Sequence, residues 1–252
     1  MSDIRKQHDG PPVKPAIDLP PAVAWLAGIM VAVHLVRLLL PRPIDYVLVE
    51  TLAFDSSVYT DPGVFAAKPA AAFLGPLTHV FVHADTLHIA VNGGMLLPFG
   101  AVVARRMGAL WFVALFMLCG LAGALAWFVL YPTSPALLIG ASGAISGMIG
   151  VATRLGMARR PSPAGRPPFH SRQQAAMVAG VWIALNLLLG LFHGQAPGLD
   201  GAVAWEAHLG GFAAGFLLTY IFEGRGLPRR PRPADPPAGD AATTPGTEDG
   251  DD

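Results

Sequence analysis

The sequence predicts an all-α, polytopic membrane protein: a bundle of six transmembrane helices. Two observations carry this. The chain of 252 residues is 53% hydrophobic and only 13% charged, whereas soluble domains average about a quarter charged residues. The few charges are also segregated. No Asp, Glu, Lys or Arg occurs between Met107 and Thr153, nor between Gln173 and Leu199. A membrane span needs roughly 20 apolar residues, so the first of these runs holds two spans and a turn. Alternating strand-like patterns are absent, which argues against an outer-membrane barrel.

The elements follow in order. The first helix is expected over Ala22–Leu40, ended by Pro41-Arg-Pro43. The second runs from Thr86 to Ala104, with Asp85 as N-cap. The third covers Ala109–Tyr131, closed by Pro132. The fourth is expected over Ala136–Met157, the fifth over Gln174–Phe192 and the sixth over Ala202–Phe222. Residues 1–20 read as a cytoplasmic segment and 21–223 as the membrane domain. Residues 224–252 are Pro-, Ala-, Asp- and Thr-rich and read as a disordered cytoplasmic tail. The N-terminus is Pro- and charge-rich, and no cleavable signal peptide is evident. Residues 41–78 form a long apolar loop containing Phe54, Phe65 and Phe73. Long ordered loops are usually functional.

Basic residues set the topology. In a six-span reading, 14 of the 17 Lys and Arg residues fall on one side. Only Arg37, Arg42 and Lys68 fall on the other. The positive-inside rule then puts both termini in the cytoplasm and the 41–78 loop outside. Net charge is zero, so composition gives no sign of a nucleic-acid partner. The single Cys119 lies mid-span among Leu and Gly and is expected to act as a small apolar filler.

Polar residues inside spans suggest a functional site. Ser142 and His208 each fall about six residues inside an apolar run that starts on the outer side. That depth is roughly 9 Å at 1.5 Å per residue. A serine and a histidine at one level are a candidate nucleophile and base. Gly143 and Gly147 on one helix, and Gly211 and Gly215 on another, are i, i+4 pairs that allow close approach. Such glycines also occur where helices merely pack. The second helix adds His79, His83, His88 and Asn92. His88 and Asn92 share a face and are suited to donate hydrogen bonds to an oxyanion. His79 and His83 have ligand-like spacing but no nearby carboxylate or Cys to close a metal shell. Their other reading is structural, tying the outer loop down.

Together these residues resemble the rhomboid family of intramembrane serine proteases. Three motifs match in order: His79-x-x-x-His83 with His88-x-x-x-Asn92, then Gly140-Ala-Ser142-Gly143, then Ala207-His208 with Gly211 and Gly215. The resemblance implies a six-helix rhomboid-like bundle with a Ser142–His208 dyad and no third acidic residue. It also implies an oxyanion hole from His88, Asn92 and the Ser142 amide, with a contribution from Gly140. No metal or other cofactor is implied. Two positions depart from the pattern of some relatives. Ser146 stands where an aromatic residue stacks on the histidine. Leu74-Gly75 stands where Trp-Arg precedes the first histidine. Ser146, one turn below Ser142, either hydrogen-bonds His208 or simply packs beside Gly147.

The resulting expectation is an endopeptidase that cuts transmembrane protein substrates near the outer ends of their helices. It would sit in a lipid bilayer, in a bacterial inner membrane, with its site open to the outer side. A catalytically inactive, client-binding relative is the first alternative, opposed by the presence of both Ser142 and His208. A transporter using the histidines is the second, opposed by an expected absence of buried acidic residues in the spans.

Overall fold

The structure, a computed structural model, describes residues 19–158, 171–191 and 203–224. The expected cytoplasmic segment up to residue 18, most of the arginine-rich connection between the fourth and fifth helices, and the tail beyond Gly224 lie outside the described residues.

Helix α1 covers Pro21–Leu39. The Pro41-Arg-Pro43 sequence ends it and also opens a second helix, α2 (Arg42–Leu52). Next come a two-residue strand β1 (Phe54–Asp55) and a 3₁₀ turn, then α3 (Pro62–Ala67) and α4 (Pro69–Thr78). The expected 41–78 loop is therefore mostly helical. Its prolines open these helices. Each of α2, α3 and α4 carries Pro in its first turn, where the missing N–H is no loss and the fixed φ favours the helix. Read as breakers, these prolines conceal three helix starts. Asp61 confirms the second start, accepting from the Gly63 and Val64 amides at 2.7 and 3.3 Å.

Helix α5 covers Thr86–Met107 and α6 covers Ala109–Leu130. The Asp85 carboxylate caps α5 through the His88 amide at 2.8 Å. Gly108, at φ +87°, makes the turn between them. The fourth long helix, α7, begins at Ser142 and runs to Ala158, not from Ala136 as expected. Gly140 at φ +108° is left-handed backbone that cannot continue a helix. Just before it, Leu137–Leu138 forms β2, antiparallel to β1 with Phe54 opposite Leu138. Helix α8 covers Arg172–Leu191 and α9 covers Trp205–Gly224. Ser142 is thus the first residue of its helix and His208 the fourth of its own. The depth of six residues counted from sequence is not the geometry found, although both side chains do stand in a first turn.

Helix α7 is the hub. It packs most extensively on α9, then on α6, with α5 and α8 flanking it. Among its buried residues are Met148, Ile149, Val151 and Leu155. Small residues line the crossing with α9. A Cβ on Gly211 would collide with the Gly143 carbonyl, and one on Gly215 with the Gly147 carbonyl. The two backbones are therefore in direct contact, as small-xxx-small faces allow. The periphery is apolar: Trp25, Leu39, Leu110, Leu125, Met177 and Leu191 are exposed. Among the described residues four helices, α1, α5, α6 and α8, are long and apolar enough to cross a membrane. Helix α7 has 17 residues and is wrapped by other helices, so its lining is Gly-, Ser- and Thr-bearing.

Candidate active site

The α7–α9 crossing brings Ser142 and His208 together. His208 Nε2 lies 2.7 Å from Ser142 Oγ, a hydrogen bond between residues 66 apart in sequence. His208 is buried, and Ser142 is half-buried. Ser142 also opens α7, so its backbone amide lies at the positive end of that helix.

The other imidazole nitrogen is partnered too. His208 Nδ1 lies 2.6 Å from Asn186 Oδ1 on α8. Asn186 in turn donates from Nδ2 to the Trp182 carbonyl at 2.8 Å. The Trp182 ring lies against the imidazole, with centroids 6.3 Å apart. Sequence reasoning missed both residues. The available signal was Trp182-Ile-Ala-Leu-Asn186, an i, i+4 pair in a charge-free span, with Asn the polar residue that such a segment must explain.

The α5 residues converge from the third side. A Cβ on Gly140 would stand 2.6 Å from His88 Nε2. The His88 ring therefore reaches the loop just ahead of Ser142, and only glycine leaves it room. Asn92 is buried one turn below, with Nδ2 donating to the His88 carbonyl at 2.9 Å. That bond engages one amide N–H and leaves the second available. The Gly140 amide donates to the His79 carbonyl at 2.9 Å. Its N–H is already engaged, so what Gly140 supplies is clearance rather than a free donor.

A family model, the Rhomboid domain, matches residues 71–225. The chain belongs to the rhomboid family. Two relatives in Arabidopsis thaliana are similar to it. RHOMBOID-like protein 1 is 28% identical over 146 residues, which is 58% of this chain and 33% of the relative. RHOMBOID-like protein 5 is 27% identical over 142 residues, 56% of this chain and 41% of the relative. The chain thus spans about a third to two-fifths of the curated relatives it matches. Family and apolar helices together mark it as an integral membrane protein.

The remaining residues of this rhomboid site divide by what they touch. The Ser146 hydroxyl donates to the Ser142 carbonyl at 2.7 Å and makes no bond to His208. The contact weighed for it from sequence is made by Asn186 instead. His79 is buried, its Nδ1 donating to the Gly75 carbonyl at 3.0 Å. Through ring and carbonyl it joins the end of α4 to the Gly140 loop. His83 is buried with its ring edge-on to His88, centroids 5.1 Å apart. Its carbonyl accepts from Arg37, which also holds the Asp45 carboxylate at 2.7 and 3.2 Å. Among the described residues no group of three or more His, Cys, Asp or Glu is disposed to hold a metal.

An acidic residue is buried in an expected span, contrary to expectation. Glu206, two residues before His208, is buried and accepts from the Tyr131 hydroxyl at 2.6 Å. Asp55 is also buried, accepting from the Ser57 amide at 3.0 Å, but it lies in the 41–78 segment and not in a span. Beyond the bundle, Lys68 pairs with Glu50 at 2.7 Å. The Glu50 hydrogen bond raises the Lys68 ammonium above its ordinary pKa, even though partial burial opposes this.

Proposed function

We propose that the chain is an intramembrane serine endopeptidase. The observation that carries the reading is the 2.7 Å hydrogen bond between Ser142 Oγ and His208 Nε2. In this reading Ser142 Oγ attacks a substrate carbonyl while Nε2 takes the hydroxyl proton. Negative charge then develops on the former carbonyl oxygen. In this reading the His88 ring, the remaining Asn92 N–H and the Ser142 amide donate hydrogen bonds to that oxygen. The imidazolium returns its proton to the leaving amine, which departs and leaves an acyl-serine. Water, deprotonated by the same Nε2, hydrolyses the ester and restores Ser142. The reaction needs no cofactor.

The same reading makes residues 21–223 one membrane domain of six spans: α1, α5, α6, α7, α8 and α9. Residues 1–20 and 224–252 are its cytoplasmic extensions. Both termini face the cytoplasm, and the site opens outward beneath the 41–78 segment. Non-helical backbone such as 132–141 is tolerable at membrane depth only where it lines a protein-walled cavity, and an extended substrate strand has the same requirement. The substrates are transmembrane proteins, and the membrane is a bacterial inner membrane.

Purified protein in lipid vesicles, given a model transmembrane substrate and a fluorophosphonate probe, tests the proposal. Wild type should cleave and be labelled. Ser142→Ala and His208→Ala should do neither while melting like wild type. Removing such a nucleophile or base alone costs up to the order of 10⁶ in kcat. Cleavage by Ser142→Ala at more than a few per cent of the wild-type rate would sink the mechanism.

A further inference from the structure

A base that accepts a proton at Nε2 must already carry its own proton at Nδ1. In a neutral imidazole the two nitrogens compete for one hydrogen, and the partner of the other nitrogen decides the outcome. Free imidazole side chains favour the opposite tautomer, so the preference must be imposed. From geometry, we infer that Asn186 imposes it: this asparagine is the positioning residue of His208, making the site a Ser142–His208–Asn186 triad. The inference rests on the protease reading above.

Three observations support it. First, the amide cannot be turned around without penalty. Nδ2 donates to the Trp182 carbonyl at 2.8 Å, so rotating the amide would set Oδ1 against that carbonyl, acceptor to acceptor. This fixes Oδ1 toward His208. Oδ1 only accepts, so at 2.6 Å Nδ1 must be the donor. Nε2 is then left with its lone pair facing Ser142 Oγ. Second, Asn186 is placed for this contact. Among the described residues of α8 only Ala175 and Asn186 are buried. The one polar side chain that α8 buries therefore meets the imidazole. Third, the Trp182 ring, a turn away on the same helix, lies beside the imidazole with centroids 6.3 Å apart and planes tilted by 37°. Position 146 makes no contact of that kind, since the Ser146 hydroxyl is engaged with the Ser142 carbonyl.

The chemistry explains why an amide serves. A carboxylate would orient the ring equally well, but an ionised group inside a span is costly. The amide accepts the same hydrogen bond without charge, as in the Cys-His-Asn arrangement of papain-like enzymes. Helix–helix adhesion alone is the competing role for a span asparagine. It makes no demand on which nitrogen of His208 is protonated.

The experiment uses the full chain in lipid vesicles with ¹⁵N-labelled histidine, the His208 signals being assigned by their loss in His208→Gln. In wild type, Nδ1 should be protonated and Nε2 unprotonated at neutral pH. Asn186→Leu keeps approximate size and removes the acceptor, so protonation should shift toward Nε2. In the same variant kcat should fall about 10- to 100-fold, part of the 10²–10⁴ a positioned base supplies, with KM within about twofold. Asn186→Asp keeps the acceptor and should keep Nδ1 protonated. It serves as the deciding variant if Asn186→Leu does not fold. Wild-type protonation at Nε2, an unchanged tautomer in folded Asn186→Leu, or loss of the Nδ1 proton in folded Asn186→Asp each overturns the assignment. The nitrogen signals do not depend on turnover. A wild type that neither cleaves nor labels, yet shows the tautomer shift, would refute the protease and retain the triad geometry. A cleaving enzyme with no shift would do the reverse.

Discussion

The α7–α9 seam and the ring of elements around it are built on opposite principles. At the seam, backbone touches backbone. Gly143, Gly147, Gly211 and Gly215 let two helices approach until each carbonyl fills the space of the other's missing side chains. On the ring, α5 and α8 make their contacts with single side chains, although glycine backbone also approaches closely where Gly75 of α4 meets the Ala53 carbonyl and Gly123 of α6 the Ala207 carbonyl. Helix α8 reaches the site through Asn186 and Trp182 and α5 through His88 and Asn92, while Arg37, Tyr59 and Lys68 tie the outer elements together away from it. A backbone seam has no rotamers to lose, so it sets the Ser142–His208 distance rigidly. Side chains are individually replaceable, so the ring is where orientation can be tuned without dismantling the fold.

The seam should break hardest. Gly215→Val would place its Cβ in collision with the Gly147 carbonyl, and neither backbone can rotate away. Overpacking usually costs about 1–3 kcal/mol, occasionally more, and a clash with backbone belongs at the upper end. The variant should lose folded yield, and any folded fraction should escape fluorophosphonate labelling. Gly180 on α8 gives the contrast, since nothing lies within 4 Å of its would-be Cβ. Gly180→Ala should melt and label like wild type. Equal behaviour of the two variants would erase the distinction between seam and ring.

Asn92 tests what the ring contributes to chemistry. It is buried, with one N–H on the His88 carbonyl and one left. Asn92→Ala should lower kcat by about 10²-fold or more, as loss of an oxyanion donor does, with little change in KM. A change confined to KM would reassign Asn92 to substrate binding.

Much of the seam was legible in sequence because its signals are local and periodic. Gly-x-Ser-Gly, Ala-His and the i, i+4 glycines each name their own partners by size and spacing. Element starts were less legible where one residue has two readings. Pro41 follows the end of α1 and caps α2, and Pro62 and Pro69 open α3 and α4. Gly140 ends an extended segment, which moved the start of α7 from Ala136 to Ser142. The ring contacts were hardest to foresee. Asn186 and Glu206 are single polar residues in apolar context, and their meaning depends on which neighbour they meet across 22 and 75 residues of chain. No local pattern encodes that.

Ser146 sits at the seam but acts like neither class. It is fully buried, and its hydroxyl returns to its own helix at the Ser142 carbonyl. Such back-bonding satisfies the hydroxyl without bridging helices. Ser146→Ala keeps the size and removes one bond, worth about 0.5–1.5 kcal/mol at most. Thermal stability should change by no more than that, with kcat within about twofold of wild type. A tenfold fall in kcat at unchanged stability would mean that the hydroxyl reaches the reacting groups during turnover.

The smallest effect belongs to the outermost tie of the ring. Lys68 binds Glu50 at 2.7 Å and lies 3.9 Å from the Asp55 carboxylate, pinning the junction of α3 and α4 to the end of α2. The side chain is a third exposed, so solvent screening limits the pair to about 1 kcal/mol or less. The Glu50 hydrogen bond raises the Lys68 pKa. The bound state thus favours the ammonium, and the tie is fully present below the ordinary lysine value of about 10.4. It is lost only as pH rises through the higher folded value. Tyr59 also holds this region, its hydroxyl bonded to the Ala72 carbonyl at 2.7 Å. The segment should therefore loosen rather than detach. A nitroxide on Ala66→Cys would report this, since Ala66 is exposed and Cys119 is buried away from labelling. Its mobility should be flat from pH 7 to about 10 and rise above that, near the lysine range. In the Lys68→Met background it should already be raised at pH 7 and rise less above pH 10. A rise of the same size in both backgrounds would place the anchor elsewhere and leave Tyr59 as the better candidate.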